Sequence, residues 1–266
     1  MKRFGTLLPG LAFFLRSTGR LGLFFDFDGT LAPIAPRPEQ VWLPQFTRGW
    51  LEELAARPSL RVAIISGREL EDLRSRVAVR GAVYAGNHGL EIEADAWRWV
   101  HPGAASKRQA LRHLCEQIAA QLRGLDGAQV EYKGLTATVH YRRVRAVDQP
   151  TVCRRVRSAV AAAGQEFVLR PGRCSLEIRP DVAWNKGHAV RLLAARLGIP
   201  EQLVFYFGDD DTDEDAFAAL PQGITVLVGE RSASCARYGL RDPCDVWRFL
   251  EWSVRQTSLQ EVAEEL

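Results

Sequence analysis

Apolar residues along this chain gather into short continuous runs, several of which end abruptly in acids, serine or glycine. Leu21 to Phe25 is one such run, and Asp26 follows it directly. Val62 to Ile65 gives way to Ser66-Gly67-Arg68, Leu203 to Phe207 to Gly208-Asp209-Asp210, and Ile224 to Val228 to Gly229. Short apolar runs bounded by turn residues predict strands buried on both faces of a parallel sheet. Between them, Thr47 to Ala56 and Lys186 to Leu197 carry a helical period. Alternation of strand and helix predicts an α/β fold, a Rossmann-like open parallel sheet with right-handed crossovers. Such sheets bind ligands beyond the carboxyl ends of their strands, where the polar residues just named fall.

The middle of the chain has another texture. Ser106 to Leu122 and Val152 to Ala163 read as helices. Val130 to Lys133, Thr136 to Tyr141, Phe167 to Leu169 and Ser175 to Ile178 read as strands. A helix and two strands, given twice, predict a small α/β unit over 104–180, inserted into a core built from 1–103 and 181–266. Pro102-Gly103 and Pro180-Asp181 are the expected hinges.

Composition narrows the partners. At 47% hydrophobic residues the chain can bury a sizeable core. A net charge of +3 with no long basic run argues against a nucleic-acid surface. No apolar run approaches the roughly 20 residues of a membrane span. Lys2 and Arg3 precede an apolar stretch to Leu15, but Pro9-Gly10 interrupts it, so a short helix packed on the core is expected there. The five cysteines, Cys115, Cys153, Cys174, Cys235 and Cys244, form no C-x-x-C pair. That argues against a disulfide framework or zinc site and fits a cytoplasmic monomer with incidental thiols. Cys235, Cys244 and Trp247 to Trp252 are expected to pack the final helix on the sheet.

The chemistry concentrates at the strand ends. Asp26-Phe27-Asp28-Gly29-Thr30 sets two carboxylates two residues apart, on the same side as the first strand runs out. One can attack phosphorus while the other handles the leaving-group proton. Taken alone, the pair would equally suit a solvated strand end. Ser66 offers a hydroxyl to a phosphoryl oxygen, and Lys186 starts a helix, where its cation and the helix N-terminus both favour phosphate. The acids from Asp209 to Asp213 suit a hard, oxygen-liganded cation such as Mg²⁺.

Taken together, the four motifs resemble those of the haloacid dehalogenase superfamily of phosphatases. The resemblance implies that Asp26 is the nucleophile and Asp28 the general acid, that Ser66 and Lys186 bind the phosphoryl group, and that the intermediate is an aspartyl-phosphate. It also implies Mg²⁺ held by Asp26, the Asp28 carbonyl and Asp209, with Asp210 or Asp213 supporting the metal or orienting Lys186.

The finer pattern resembles the trehalose-6-phosphate phosphatase family. It is carried by the extension Leu31-Ala32-Pro33-Ile34-Ala35, by Gly86-Asn87-His88-Gly89-Leu90-Glu91, and by the run from Gly208 to Phe217. In the insert it is carried by Val130 to Lys133, Val139 to Arg142 and Leu176 to Pro180. The insert then implies a mobile cap that reads a small sugar phosphate through Glu131, Lys133 and Glu177. Glu131 and Lys133 share a strand face, as an exposed salt pair would too. Arg142 reads as a substrate contact or a sheet-edge arginine, and Arg68 as a substrate contact or a local cap. His88 orders its loop or touches substrate peripherally. Phosphatases of sucrose phosphate or mannosyl-phosphoglycerate, and a non-catalytic regulator on the same fold, are the alternatives.

Overall fold

The structure, a computed structural model, describes residues 2–3, 5, 12, 20–94, 97–172 and 174–264, with side chains described to Thr257. The chain forms two compact units, Met1–Trp99 with Trp184–Leu266, and Val100–Ala183. The helix expected before Arg16 lies almost entirely outside the described residues.

Among the described residues the first unit holds a nine-stranded sheet. Its strands are β1 (Lys2–Arg3), β2 (Leu21–Phe25), β3 (Leu60–Ile65), β4 (Val83–Gly86), β5 (Glu91–Ala94) and β6 (Trp97–Val100), then β11 (Val204–Gly208), β12 (Ile224–Val228) and β13 (Tyr238–Leu240). β7 to β10 belong to the second unit. The order is β1-β13-β12-β11-β2-β3-β4-β5-β6, so β2 lies between β11 and β3 and runs parallel to both. β5 returns antiparallel to β4.

Both faces of these strands are covered, which is why they read as unbroken apolar runs. Leu21, Leu23 and Phe25 pack with Leu60, Val62 and Ile64 on one face. There they meet helices α1 (Gln45–Ala55), α2 (Leu70–Val77) and α8 (Pro243–Glu264), through Leu51, Leu73, Phe249 and others. Phe24, Ala63, Ile65 and Tyr206 face the other way, toward α6 (Lys186–Leu197) and α7 (Asp211–Ala219). Phe25, Phe207 and Phe249 stack in sequence, with ring centroids 4.8 Å and 5.1 Å apart. Each such buried ring stabilises the fold by about 2 kcal/mol. The result is a three-layer sandwich whose parallel strands end on one edge.

Two features differ from the sequence reading. Strands β1, β4, β5, β6 and β13 extend the sheet beyond the four apolar runs. Cys235 and Cys244 are exposed, whereas the expected stretch Trp247 to Trp252 does pack α8 on the sheet, through Phe249 and Leu250 beside Val246.

The second unit contains α3 (Pro102–Ala105), α4 (Arg108–Gln121), α5 (Gln149–Ala162) and an antiparallel sheet. The strands are β7 (Gln129–Tyr132), β8 (Ala137–His140), β9 (Phe167–Gly172) and β10 (Ser175–Pro180), in the order β7-β8-β10-β9. Register divides its two faces. Val130, Val139 and Leu176 lie in one cross-strand row and join Leu111, Leu114, Val152 and Val156 in an apolar core. Glu131, Thr138, Glu177 and Arg170 form the adjacent row and point to the opposite face.

Candidate active site

The loop after β2 turns at once. The Leu31 and Ala32 amides donate to the Phe27 carbonyl at 3.0 Å, and the Gly29 amide donates to the Ala32 carbonyl at 2.7 Å. Gly29 has φ +89, and a Cβ there would run into the Asp209 carboxylate. Only glycine lets the Asp26–Thr30 loop lie this close to the loop after β11.

Asp26 is buried at the end of β2, and Lys186 donates to its Oδ1 at 2.7 Å. Lys186 is 2% exposed and donates equally to Asp213 Oδ1, at 2.8 Å. It is the first residue of α6, whose N-cap Asn185 accepts from the His188 amide at 3.1 Å. Asp213 is saturated: Tyr206 Oη also donates to Oδ1 at 2.6 Å, and the Asp209 and Asp210 amides donate to Oδ2 at 3.0 Å.

The acidic run from Asp209 to Asp213 is therefore resolved into distinct tasks. Asp210 caps α7, accepting from the Thr212 amide at 2.7 Å, and completes a capping box with Asp213. Asp213 holds Lys186. Asp209 is left, its Oδ1 buried with no hydrogen-bond partner. The choice between Asp210 and Asp213, open in the sequence, falls to Asp213 for orienting the lysine.

Charge is unbalanced here. Burial pushes the Asp26 carboxyl well up, against the pull of Lys186. Burial, with Asp213 and Asp210 nearby, raises Asp209 to about 7. Burial works against the Lys186 cation, but Asp213 and Asp26 outweigh it and hold the lysine charged. For Asp210, Lys186 and the Thr212 hydrogen bonds overcome burial and bring it to about 2. One ammonium faces several carboxylates, a deficit of positive charge that a divalent cation would fill. Carboxylate oxygens of Asp26, Asp209 and Asp213 lie within 4.8 Å of one another. An all-oxygen donor set that includes the buried, unpartnered Asp209 Oδ1 fits a hard cation, which Asp26 and Asp209 could hold.

Ser66 is buried beyond β3, its hydroxyl accepting from the Arg68 amide at 3.2 Å. Arg68 grips Asp28 bidentately, Nε to Oδ2 at 2.7 Å and Nη2 to Oδ1 at 2.6 Å, and reaches Asp72 at 2.9 Å. Its Cζ lies 5.5 Å from the Phe27 ring centroid. The local reading of Arg68 accounts for all of these contacts. The fork fixes the carboxylate beside the nucleophile's loop.

In the second unit, Glu131 meets His140 Nε2 at 2.7 Å and Lys133 Nζ at 3.9 Å. Glu177 accepts from Arg179 at 2.9 Å and 2.6 Å. These pairs lie on the polar face of the sheet, whereas Arg142 is exposed in the turn after β8. Tyr206 and Asp72 escaped the sequence reading, and His140 and Arg179 entered it only within the insert's motifs, with no role of their own. Tyr206 sits inside an apolar run, and nothing in that pattern marks its hydroxyl.

The parallel sheet that carries this buried aspartate–lysine–aspartate chain at its strand ends has the haloacid dehalogenase-like fold. A haloacid dehalogenase-like hydrolase from Bacteroides thetaiotaomicron shares the fold, with TM-score 0.63 and 14% identity, over 87% of this chain and 98% of that one. The family model for trehalose-phosphatase matches residues 24–240, and the chain belongs to that family. A trehalose-phosphate phosphatase of Mycobacterium tuberculosis is 37% identical over 246 residues, covering 88% of this chain. An uncharacterized glycosyl hydrolase of the same organism is 40% identical over 246 residues, again 88% of this chain. The chain spans 61% of the length of the first and 18% of the second.

Proposed function

We propose that this chain hydrolyses trehalose 6-phosphate to trehalose and phosphate, with Asp26 as nucleophile. The observation that carries the reading is the buried Asp26–Lys186–Asp213 chain in a member of the trehalose-phosphatase family. In the first step an Asp26 carboxylate oxygen forms a bond to phosphorus while the bond to the sugar oxygen breaks. Asp28, aimed by Arg68, gives that oxygen its proton. In the second step Asp28 takes a proton from water, which attacks phosphorus and releases Asp26.

Lys186 and Ser66 bind the phosphoryl oxygens, and Asp213 keeps the lysine charged and aimed. Asp26, the Asp28 carbonyl and Asp209 would hold Mg²⁺, whose charge offsets that of the phosphoryl group. Asp210 supports that loop by capping α7.

The second unit acts as the cap. Glu131, Lys133 and Glu177 read the sugar hydroxyls from its polar face, with Arg142 as a further substrate contact, while Arg68 serves by holding Asp28. A face of paired acceptors and donors rejects esters that lack hydroxyls to meet them. Glu131→Gln keeps the shape and removes the charge that His140 and Lys133 face. It is expected to lower kcat/KM for trehalose 6-phosphate by about 10²-fold and for an aryl phosphate by less than about 3-fold. Steady-state kinetics on the two esters decides, and equal losses on both would remove the sugar-reading role.

A further inference from the structure

The turn after β4 carries backbone that the catalytic reading leaves unexplained. Asn87, His88 and Gly89 are successive left-handed residues, with φ of +49, +59 and +83. A non-glycine residue in this region costs about 1 kcal/mol or more and persists only where its surroundings fix it. Here they do. Asn87 Nδ2 donates to Glu91 Oε1 at 2.7 Å, and the same oxygen accepts from the Leu70 amide at 3.1 Å. Asn87 and Glu91 are buried, so this small network has a firm base.

What the turn supports is the loop bearing Ser66. The His88 amide donates to the Ser66 carbonyl at 2.8 Å, and the Asn87 amide to the Arg68 carbonyl at 2.6 Å. Both residues flanking Gly67 are therefore tied to the turn. The buried His88 ring lies over Gly67 itself: a Cβ there would sit 2.6 Å from Cε1 and 2.8 Å from Nε2. Gly89 meanwhile abuts α6, where a Cβ would overlap Ala189, three residues beyond Lys186. One strained turn thus reaches the serine loop and the lysine helix.

We infer that Asn87-His88-Gly89 is a positioning clamp for phosphoryl binding, in which the His88 ring sets the seat of the Ser66-Gly67-Arg68 loop against α6. The inference rests on the phosphatase reading above. His88 acts through Ser66 and Arg68, so its loss affects every phosphate ester alike. A histidine that touches the sugar would affect only the sugar phosphate.

His88→Asn is the informative variant, because asparagine tolerates the left-handed backbone while removing the ring. Misplacement of a binding loop by about 1 Å costs on the order of 10²-fold in rate. Expected are a fall in kcat of about 10- to 100-fold on both trehalose 6-phosphate and an aryl phosphate, and a similar weakening of competitive inhibition by inorganic phosphate. The melting temperature should stay within about 3 °C of the wild type. A rise in KM confined to trehalose 6-phosphate, or unchanged kinetics, would overturn the clamp.

A second pair of variants needs no turnover. Gly67→Ala should lower the melting temperature by about 5 °C through overlap with the ring. In the His88→Gly background the same substitution should cost less than half as much. Additive losses would show that the ring does not seat the loop, and would also overturn the clamp. If the wild type releases no phosphate from either ester, the phosphatase reading falls, and this melting comparison alone decides whether the clamp exists.

Discussion

Asp26→Asn is expected to lower phosphate release from trehalose 6-phosphate by about 10⁴-fold or more, with a melting temperature no lower than that of the wild type. The nucleophilic oxygen becomes an amide, which cannot form the phosphoryl ester, and removal of a nucleophile typically costs this much. Stability follows a separate logic. Asp26 is a buried carboxylate among other carboxylates, and burial disfavours its charge. The amide retains an oxygen for Lys186 and relieves that crowding. Release assays and thermal melts on the same preparation test both halves. Substantial turnover by the variant would mean that another group attacks phosphorus.

Lys186→Met should damage both properties at once. The ammonium is shared by Asp26 at 2.7 Å and Asp213 at 2.8 Å, and the lysine is 2% exposed. Removing one partner of a buried ion pair leaves uncompensated charge and costs about 3–5 kcal/mol. For a unit of this size that is a fall in melting temperature of about 10 °C. Activity should fall about 10³-fold, because the transferring phosphoryl group loses a preorganised cation. Lys186→Met/Asp213→Asn separates the effects, since neutralising Asp213 should recover part of the melting temperature and none of the activity. A single variant that melts like the wild type would mean that the triad contributes little to the fold.

The parts of this arrangement legible in the sequence were those that pattern encodes. Strands β2, β3, β11 and β12 lie inside the sheet, so both of their faces are apolar and their ends stand out as sudden polarity. Asp26, Ser66, Lys186 and Asp209 sit at such ends or at a helix start. Strands nearer the sheet's margins hid for the opposite reason: β5 and β6 carry charged residues such as Glu93 and Arg98, and β13 has only three residues.

Pairings that join distant segments could not be read. Arg68 and Asp28 lie 40 residues apart, and their fork depends on how two loops leave the sheet. The acids from Asp209 to Asp213 are chemically alike, so spacing alone could not divide their tasks. The start of α7 divides them, turning Asp210 into a cap and aiming Asp213 at Lys186. Tyr206 was hidden because a tyrosine within an apolar run reads as core, which most of its ring is.

The central claim is tested most directly by phosphate release from trehalose 6-phosphate, sucrose 6-phosphate, glucose 6-phosphate and an aryl phosphate, before and after chelation of divalent metal. The account predicts a preference for trehalose 6-phosphate of about 10²-fold or more in kcat/KM, abolished by chelation and restored by Mg²⁺. Release without preference would contradict the sugar reading, and no release from any ester in the presence of Mg²⁺ would contradict the phosphatase itself.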